Sequence, residues 1–249
     1  MDRVSREFLK DNISKSFDFS TTDQNRGVAP PPVQKAYEKD SPTIDLPSPR
    51  NWQQIQAVSV EAAIRRRRSR RNFSQEPFIL EEISFLLWAT QGMRGRPSAT
   101  HVFRTVPSAG CRHALETYVA ALRVEGLDPG LYRYLPLSHQ LLPLDGPDDL
   151  EYQVGMAADE QFFAGEGAAT FIWTAVPYRM EWRYGPASLK LIALDAGHVC
   201  QNLYLACEAI GAGTCAIAAY DQARADALVG VNGEDEFVIY LAPAGKLPH

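Results

Sequence analysis

One apolar pattern near the C-terminus constrains this chain more than any other feature. Ile192, Ala196, Val199, Leu203, Ala206 and Ile210 recur at alternating spacings of four and three, which sets all six along one stripe of a single long α-helix. A stripe of that length is not stable against water, so the helix has to be packed into a core. Gly211 is the expected stop, and a strand is expected around Cys215-Ala216-Ile217. The junction matches G-x-G-x-x-A from Gly211 to Ala216, the spacing of a dinucleotide-binding fingerprint. That fingerprint works when a strand delivers its glycines to a helix N-terminus whose amides face a pyrophosphate. Here a helix precedes and a strand follows, so a Rossmann reading fails and the glycines mark a helix stop and a close packing point.

The rest of the chain organises around this helix. Residues 1–50 mix polar residues with prolines (Pro30, Pro31, Pro32, Pro42, Pro47, Pro49), a composition that suits an extended N-terminal arm. Phe8, Leu9, Phe17 and Phe19 are its candidate anchors on the body or on a second subunit. Residues 51–249 form the second unit. From Ser59, an N-cap residue type with Glu61 in the first turn, a helix runs into an arginine-rich segment. A second helix carries Leu80, Ile83, Leu86 and Leu87 on one face and closes at Gly92. Strand patterns follow at residues 117–124 and 131–135, a hairpin-like pair, then at 171–176, and, after the long helix, at 237–241. The order is α+β, not a strict βαβα alternation, and no internal repeat is present. With 249 residues, 45% hydrophobic and 22% charged, the chain has enough apolar surface for one large core.

Charge and cysteine content exclude several classes. The net charge of −5 argues against nucleic-acid binding by the chain as a whole, since polyanion affinity rests on accumulated positive charge. No apolar run approaches a bilayer span and residues 1–11 are too charged for a secretory signal, so a cytoplasmic, non-membrane protein is expected. Cys111, Cys200, Cys207 and Cys215 form no Cys-x-x-Cys pair and have no histidine at ligand spacing; neither disulfides nor a metal are expected. No hydrolase or phosphotransfer motif appears.

Four segments carry candidate chemistry. Six arginines crowd into residues 65–71; Arg67, Arg68, Ser69 and Arg71 supply guanidinium forks and a hydroxyl suited to a phosphate. The same run also reads as a solvated basic helix end, or as an isolated nucleic-acid patch. Pro107-Ser108-Ala109-Gly110 is a small-residue turn that lets backbone approach a flat ring, or an ordinary turn before a strand. Trp182-Arg183-Tyr184, following Pro177-Tyr178-Arg179, is a cationic aromatic cluster able to wall a pocket, with Tyr184 a proton donor; its alternative is a surface loop holding aromatics in the core. His113 is a candidate substrate contact above such a ring, and His198, on the long helix, reads as a packed, hydrogen-bonded histidine.

Taken in order, these segments resemble the nitroreductase superfamily, and within it the SagB-type branch, whose studied members oxidise azolines in modified peptides. The resemblance is carried by Arg67-Arg68-Ser69-Arg70-Arg71-Asn72-Phe73, by residues 86–92, by Arg104-Thr105-Val106-Pro107-Ser108-Ala109-Gly110, and by residues 129–134, 195–205, 211–215 and 240–246. It implies a homodimeric, nitroreductase-like α+β sandwich, with a central, mostly antiparallel sheet flanked by helices and both chains lining each FMN. It further implies that Arg67, Arg68, Ser69 and Arg71, with Lys246, hold phosphate and ring edge, and that Pro107, Ser108, Ala109 and Gly110 lie along the flavin. Backbone groups of Ala218 and Ala219 face its reactive edge, Arg183 and Tyr184 are the catalytic candidates, and His113 and Trp182 contact substrate. The implied activity is FMN-dependent oxidoreduction, with hydride passing between flavin and a small conjugated substrate and NAD(P)H as a candidate reductant. The alternative is a catalytically weak flavin-binding partner in a peptide-modifying complex. Two departures stand out. Azoline-oxidising members carry a Lys-Tyr pair where this chain has Arg183-Tyr184, and arginine does not deprotonate to act as a base. Better-known members have asparagine at the position of Cys111, and many extend past Lys246 with more basic residues.

Overall fold

The long helix is present as Ser188–Glu208, and its predicted stripe is buried: Ile192, Ala196, Val199, Leu203 and Ala206 are all under 9% exposed. The computed structural model describes residues 6, 8–96, 98 and 101–248. In chain order the regular elements are α1 (Ile13–Ser16), β1 (Ile44–Asp45), α2 (Val60–Arg66), β2 (Phe78–Ile79), α3 (Leu80–Gln91), β3 (Leu115–Ala121), β4 (Val124–Glu125), β5 (Gly130–Leu135), β6 (Gln140–Leu144), α4 (Leu150–Ala157), β7 (Ala169–Ala175), α5 (Tyr178–Tyr184), α6 (Ser188–Glu208), β8 (Ala212–Thr214), α7 (Gln222–Val229) and β9 (Phe237–Lys246). Short 3-10 turns punctuate the connections.

Seven strands form one sheet in the order β1-β6-β5-β3-β7-β9-β8, and each pairing in it is antiparallel. β2 and β4 make a separate parallel pair. Strand side chains alternate between faces, so the central strands feed two cores. Leu115, Val119 and Ala121 of β3 and Phe171 and Trp173 of β7 pack with Ile83, Leu86 and Leu87 of α3 and the stripe of α6. Tyr118 and Ala120 of β3 and Ile172 of β7 face the opposite layer, with Leu150 and Val154 of α4 and Ala225 and Val229 of α7. Helices thus cover both faces of an antiparallel sheet, the α+β arrangement expected. No helix among the described residues is long and apolar enough to cross a membrane.

Local signals explain several boundaries. Ser59 caps α2, its hydroxyl accepting from the Ala62 amide at 3.1 Å. Gly92 does end α3, but in an extended conformation (φ −62°) and not the left-handed one usual for a terminal glycine; a Cβ there would sit 2.3 Å from Trp88 Cδ1. α6 stops at Glu208, and Gly211 takes φ +63° in the turn three residues further on. The strand expected at residues 215–217 lies three residues earlier, at Ala212–Thr214, because Gly213 pairs closely with Gly245 of β9. Ile217 keeps an isolated bridge to Leu241.

The N-terminal residues lie along the body without a core of their own. The Phe8 and Leu9 side chains are 46% and 70% exposed, with the Leu9 carbonyl accepting from the Lys190 ammonium at 2.7 Å, whereas the Phe17 ring lies against Gly185 and packs edge-on with Phe19. The Trp182 indole donates to the Val28 carbonyl at 2.9 Å, and the Gln24 amide donates to the Trp182 carbonyl at 2.9 Å. Further along, the Lys35 amide donates to Glu116 at 2.7 Å and its ammonium to Glu236 at 2.6 Å. Glu116 is also paired with the buried Arg179, and burial pushes the neighbouring Arg104 down to about 10.

Candidate functional site

The arginine segment leaves α2 at Arg67 and runs beside β8: Ser69 forms a parallel bridge with Thr214, and the Arg70 amide donates to the Thr214 carbonyl at 2.9 Å. Tyr204 of α6 is the hub beneath it. Its hydroxyl lies 2.9 Å from that of Ser69 and accepts from the Ala216 amide at 2.9 Å, while the Arg67 guanidinium stacks 5.2 Å above its ring. Arg71 lies 5.7 Å from the Phe163 ring. Among the described residues, no carboxylate lies within ion-pair distance of Arg67, Arg68 or Arg71. The Arg67 and Arg71 heads lie on aromatic faces and Arg68 is exposed, so the segment presents a positive ridge, with the charge of Glu208 felt at longer range by Arg67. Cys215 sits under it, with burial pushing its thiol up against the pull of Arg71 and the Ser69 hydrogen bond.

The small-residue turn forms a second cluster. Gly110 takes φ +57°, and a Cβ at that position would stand 2.6 Å from the Tyr184 hydroxyl and 3.1 Å from Arg183 Cδ. The turn and the end of α5 therefore touch, which brings Pro107, Ser108, Ala109 and Gly110 together with Arg183 and Tyr184. The Arg183 guanidinium lies 5.5 Å from the Tyr184 ring. Ser108 is engaged inward, its hydroxyl accepting from the His113 amide at 2.9 Å. Burial pushes Asp195 of α6 up from the usual carboxylate range, against the opposing influence of the nearby Ser108 hydroxyl and Ala109 amide. Pro107 is exposed beside them.

Other sequence-predicted residues sit differently. His113 is 4% exposed, its Nε2 3.1 Å from the Val102 carbonyl, and burial with the nearby Arg104 charge pulls it down to about 3. It is thus a packed, neutral histidine, not a residue open to a ligand. His198, expected to be the packed one, is exposed on α6. Trp182 is 5% exposed between the Val28 carbonyl and the Arg112 guanidinium, 4.7 Å from its ring; it anchors the N-terminal segment and does not line open space. Lys246 is drawn away from the arginine ridge, donating to Glu82 at 2.5 Å and the Ile210 carbonyl at 2.8 Å. Ala218 and Ala219 are exposed on the loop after β8, where the Ala219 carbonyl accepts from Gln161. The segment at 177–184, one reading of which was a surface loop, is largely helix.

Asp195 and Tyr204, the α6 residues beside these clusters, were not singled out from sequence. They are polar positions at the margins of the apolar stripe, which is the signal that marked them. Nine residues apart, they lie about 14 Å from each other along the axis and half a turn around it. Between them runs an exposed strip, Leu194, Gly197, His198 and Gln201.

The Nitroreductase family model matches residues 64–246. A Methanocaldococcus jannaschii protein described as a nitroreductase is 28% identical over 207 residues, covering 83% of this chain and 98% of that one. The solved structure of a protein from Ralstonia eutropha, also described as a nitroreductase, is 25% identical and superimposes with a TM-score of 0.68 over 89% of this chain and 95% of its own. An Exiguobacterium sibiricum structure described as a nitroreductase in complex with FMN is 15% identical, with a TM-score of 0.55, covering 79% of this chain and 92% of its own. With one family model spanning both the arginine ridge and the turn, the chain belongs to the nitroreductase family.

Proposed function

We propose that this protein is an FMN-dependent oxidoreductase of the azoline-dehydrogenase-like branch, acting as a homodimer on a small conjugated substrate, with NAD(P)H as reductant. The observation that carries this reading is the position of the two clusters on opposite margins of α6. The two clusters face away from each other around the helix, an arrangement that two chains related by a twofold axis can close around one ring. An antiparallel pairing of α6 helices that sets Leu194 against Leu205 of the partner subunit and His198 against the partner's Gln201 brings Asp195 level with the partner's Tyr204. Each cofactor then meets the ridge of one subunit and the turn of the other. The FMN complex of the Exiguobacterium relative supports the choice of cofactor.

The residues fit such a ligand. Arg67, Arg68 and Arg71 answer a phosphate near −2, and Gly110 leaves the room that a side chain would fill. Bound FMN supplies two-electron chemistry that the side chains lack. The Tyr184 hydroxyl lies beside the turn, and Arg183 places a guanidinium next to it, a group that favours negative charge on the ligand and is not suited to abstract a proton. Azoline oxidation through a lysine-type base is therefore not assigned. Arg67→Ala with Arg71→Ala is expected to weaken FMN binding by about 3 to 6 kcal/mol, two charge-assisted contacts at ~1.5 to 3 each. The check is a fluorescence titration of apoprotein; unchanged affinity in the double variant removes the phosphate assignment, and wild type that takes up no FMN removes the flavin reading.

Arg183 in place of a base favours a second reading, a flavin-binding partner without turnover. Rapid bleaching of the bound flavin by NADH or NADPH, followed by reoxidation with a quinone, would exclude it.

A further inference from the structure

We infer that Tyr204 is the positioning residue through which this site distinguishes a phosphorylated flavin from an unphosphorylated one: its hydroxyl orients Ser69 and its ring carries Arg67, so that a hydroxyl and a guanidinium are offered to the same phosphate. The inference rests on the flavin reading above and adds to it a residue that itself touches neither flavin ring nor phosphate.

Tyr204 is 9% exposed on α6, next to the fully buried Leu203 and packed in the same core. An apolar side chain would fill that place without a polar group to satisfy, whereas a phenol there needs partners for its hydroxyl. Both partners lie outside the helix. The Ala216 amide donates to the hydroxyl oxygen at 2.9 Å, and the Ser69 hydroxyl lies 2.9 Å from it. With its oxygen already taking the amide proton, the tyrosine has its own proton left for Ser69 Oγ. Ser69 then accepts from the tyrosine and keeps its own proton to donate, at a position exposed to solvent.

The ring acts on the neighbouring cation. The Arg67 guanidinium, half-buried, lies 5.2 Å from the centre of the Tyr204 ring. A long side chain held on an aromatic face has less rotamer freedom to lose when it meets an anion, so the contact favours binding without adding a charge. The path of the main chain is fixed separately: Ser69 bridges Thr214, and the Arg70 amide donates to the Thr214 carbonyl at 2.9 Å. Pairing with β8 thus sets where the segment runs, and Tyr204 acts on the side chains of Arg67 and Ser69. Removing the hydroxyl is therefore expected to disturb the phosphate end of the site and leave the fold in place.

The test is affinity for FMN and for riboflavin, by fluorescence titration of apoprotein, for wild type, Tyr204→Phe, Ser69→Ala and the Ser69→Ala/Tyr204→Phe double variant, with thermal unfolding of each apoprotein alongside. Wild type is expected to bind FMN more tightly than riboflavin. Tyr204→Phe, which keeps a ring under Arg67, is expected to raise the FMN dissociation constant about tenfold, the order of one charge-assisted hydrogen bond, and the riboflavin constant by less than about twofold. A purely structural role for the hydroxyl would weaken both flavins alike. The double variant is expected to be no weaker than the weaker single variant, because the two residues act through one bond. Equal losses of both flavins, strictly additive losses of FMN, or an unchanged FMN constant in folded Tyr204→Phe overturn the assignment while leaving the flavin reading in place. Wild type that binds neither flavin overturns both. If Tyr204→Phe does not fold, Ser69→Ala, which breaks the same hydrogen bond from the exposed side, decides: a loss of about fivefold for FMN alone supports the assignment, and equal or absent losses overturn it.

Discussion

At the scale of single residues, the decisive question is which cations and histidines find partners inside the chain. Lys246 lies near the arginine ridge in sequence logic, yet Glu82 and the Ile210 carbonyl capture its ammonium. Arg67, Arg68 and Arg71 find no carboxylate within ion-pair distance among the described residues, Glu208 acting on Arg67 only at longer range. His113 carries a pH prediction. Its folded-state value near 3 lies below the unfolded value near 6.5, so the unfolded chain takes up a proton first as pH falls. The neutral, buried ring therefore contributes fully above about pH 6.5 and is increasingly opposed between 6.5 and 3, by up to ~1.4 kcal/mol per pH unit. Urea denaturation of wild type and His113→Asn across that window should show the smaller pH slope in the variant. Equal slopes would mean that the ring is hydrated in solution. Residue types marked the ridge and the Gly110 turn, but sequence could not separate His113 from His198, since burial belongs to the fold and both occur as lone histidines.

At the scale of elements, periodicity was readable where it ran long. The stripe of α6 and the caps of α2 were legible because each follows from local geometry. Four shorter helices were not read, among them the four-residue α1 within the N-terminal arm. α7 carried its signals in Asp221, whose side chain accepts from the Arg224 amide, and in Gly230 at φ +68°; eight residues of mixed polarity gave too little repeat to weigh beside them. α4 is equally short. α5, seven residues long, is held from outside by Gln24 and Val28, so its helical state depends on contacts far away in sequence. Gly92 is a test of close approach. Because a Cβ would meet Trp88 Cδ1 at 2.3 Å and its carbonyl oxygen at 2.6 Å, Gly92→Ala is expected to destabilise by about 1 to 3 kcal/mol, as overpacking does. The denaturation midpoint should fall at constant m-value; a change under 0.5 kcal/mol, of the order of a surface substitution, would show that Trp88 yields without cost.

At the scale of the whole molecule, α6 is the axis. One side lies on the sheet, its margins carry the two clusters through Asp195 and Tyr204, and its outer strip exposes Leu194 at 52%. If that strip is the subunit interface, Leu194→Glu with Leu205→Glu should shift sedimentation toward the monomer and, in the same samples, weaken FMN binding by at least tenfold, about 1.4 kcal/mol. A dimer that persists with full affinity would move the interface elsewhere.

The sequence alone determined the elements whose signals are local: the stripe of α6, the cap of α2, the central strands, and the residue types gathered in the ridge and the turn. It also excluded a Rossmann site, because the order of helix, glycines and strand is a property of the chain itself. Only the tertiary structure decided which of those residues face outward. It buried His113 and Trp182, diverted Lys246 to Glu82, engaged the Ser108 hydroxyl with the His113 amide, and set the two clusters on opposite margins of one helix. The reason is physical: a hydrogen bond or a buried face depends on partners brought close by folding, and separations of 67 residues between Arg112 and Arg179 or 135 between Ser69 and Tyr204 leave no trace in local pattern.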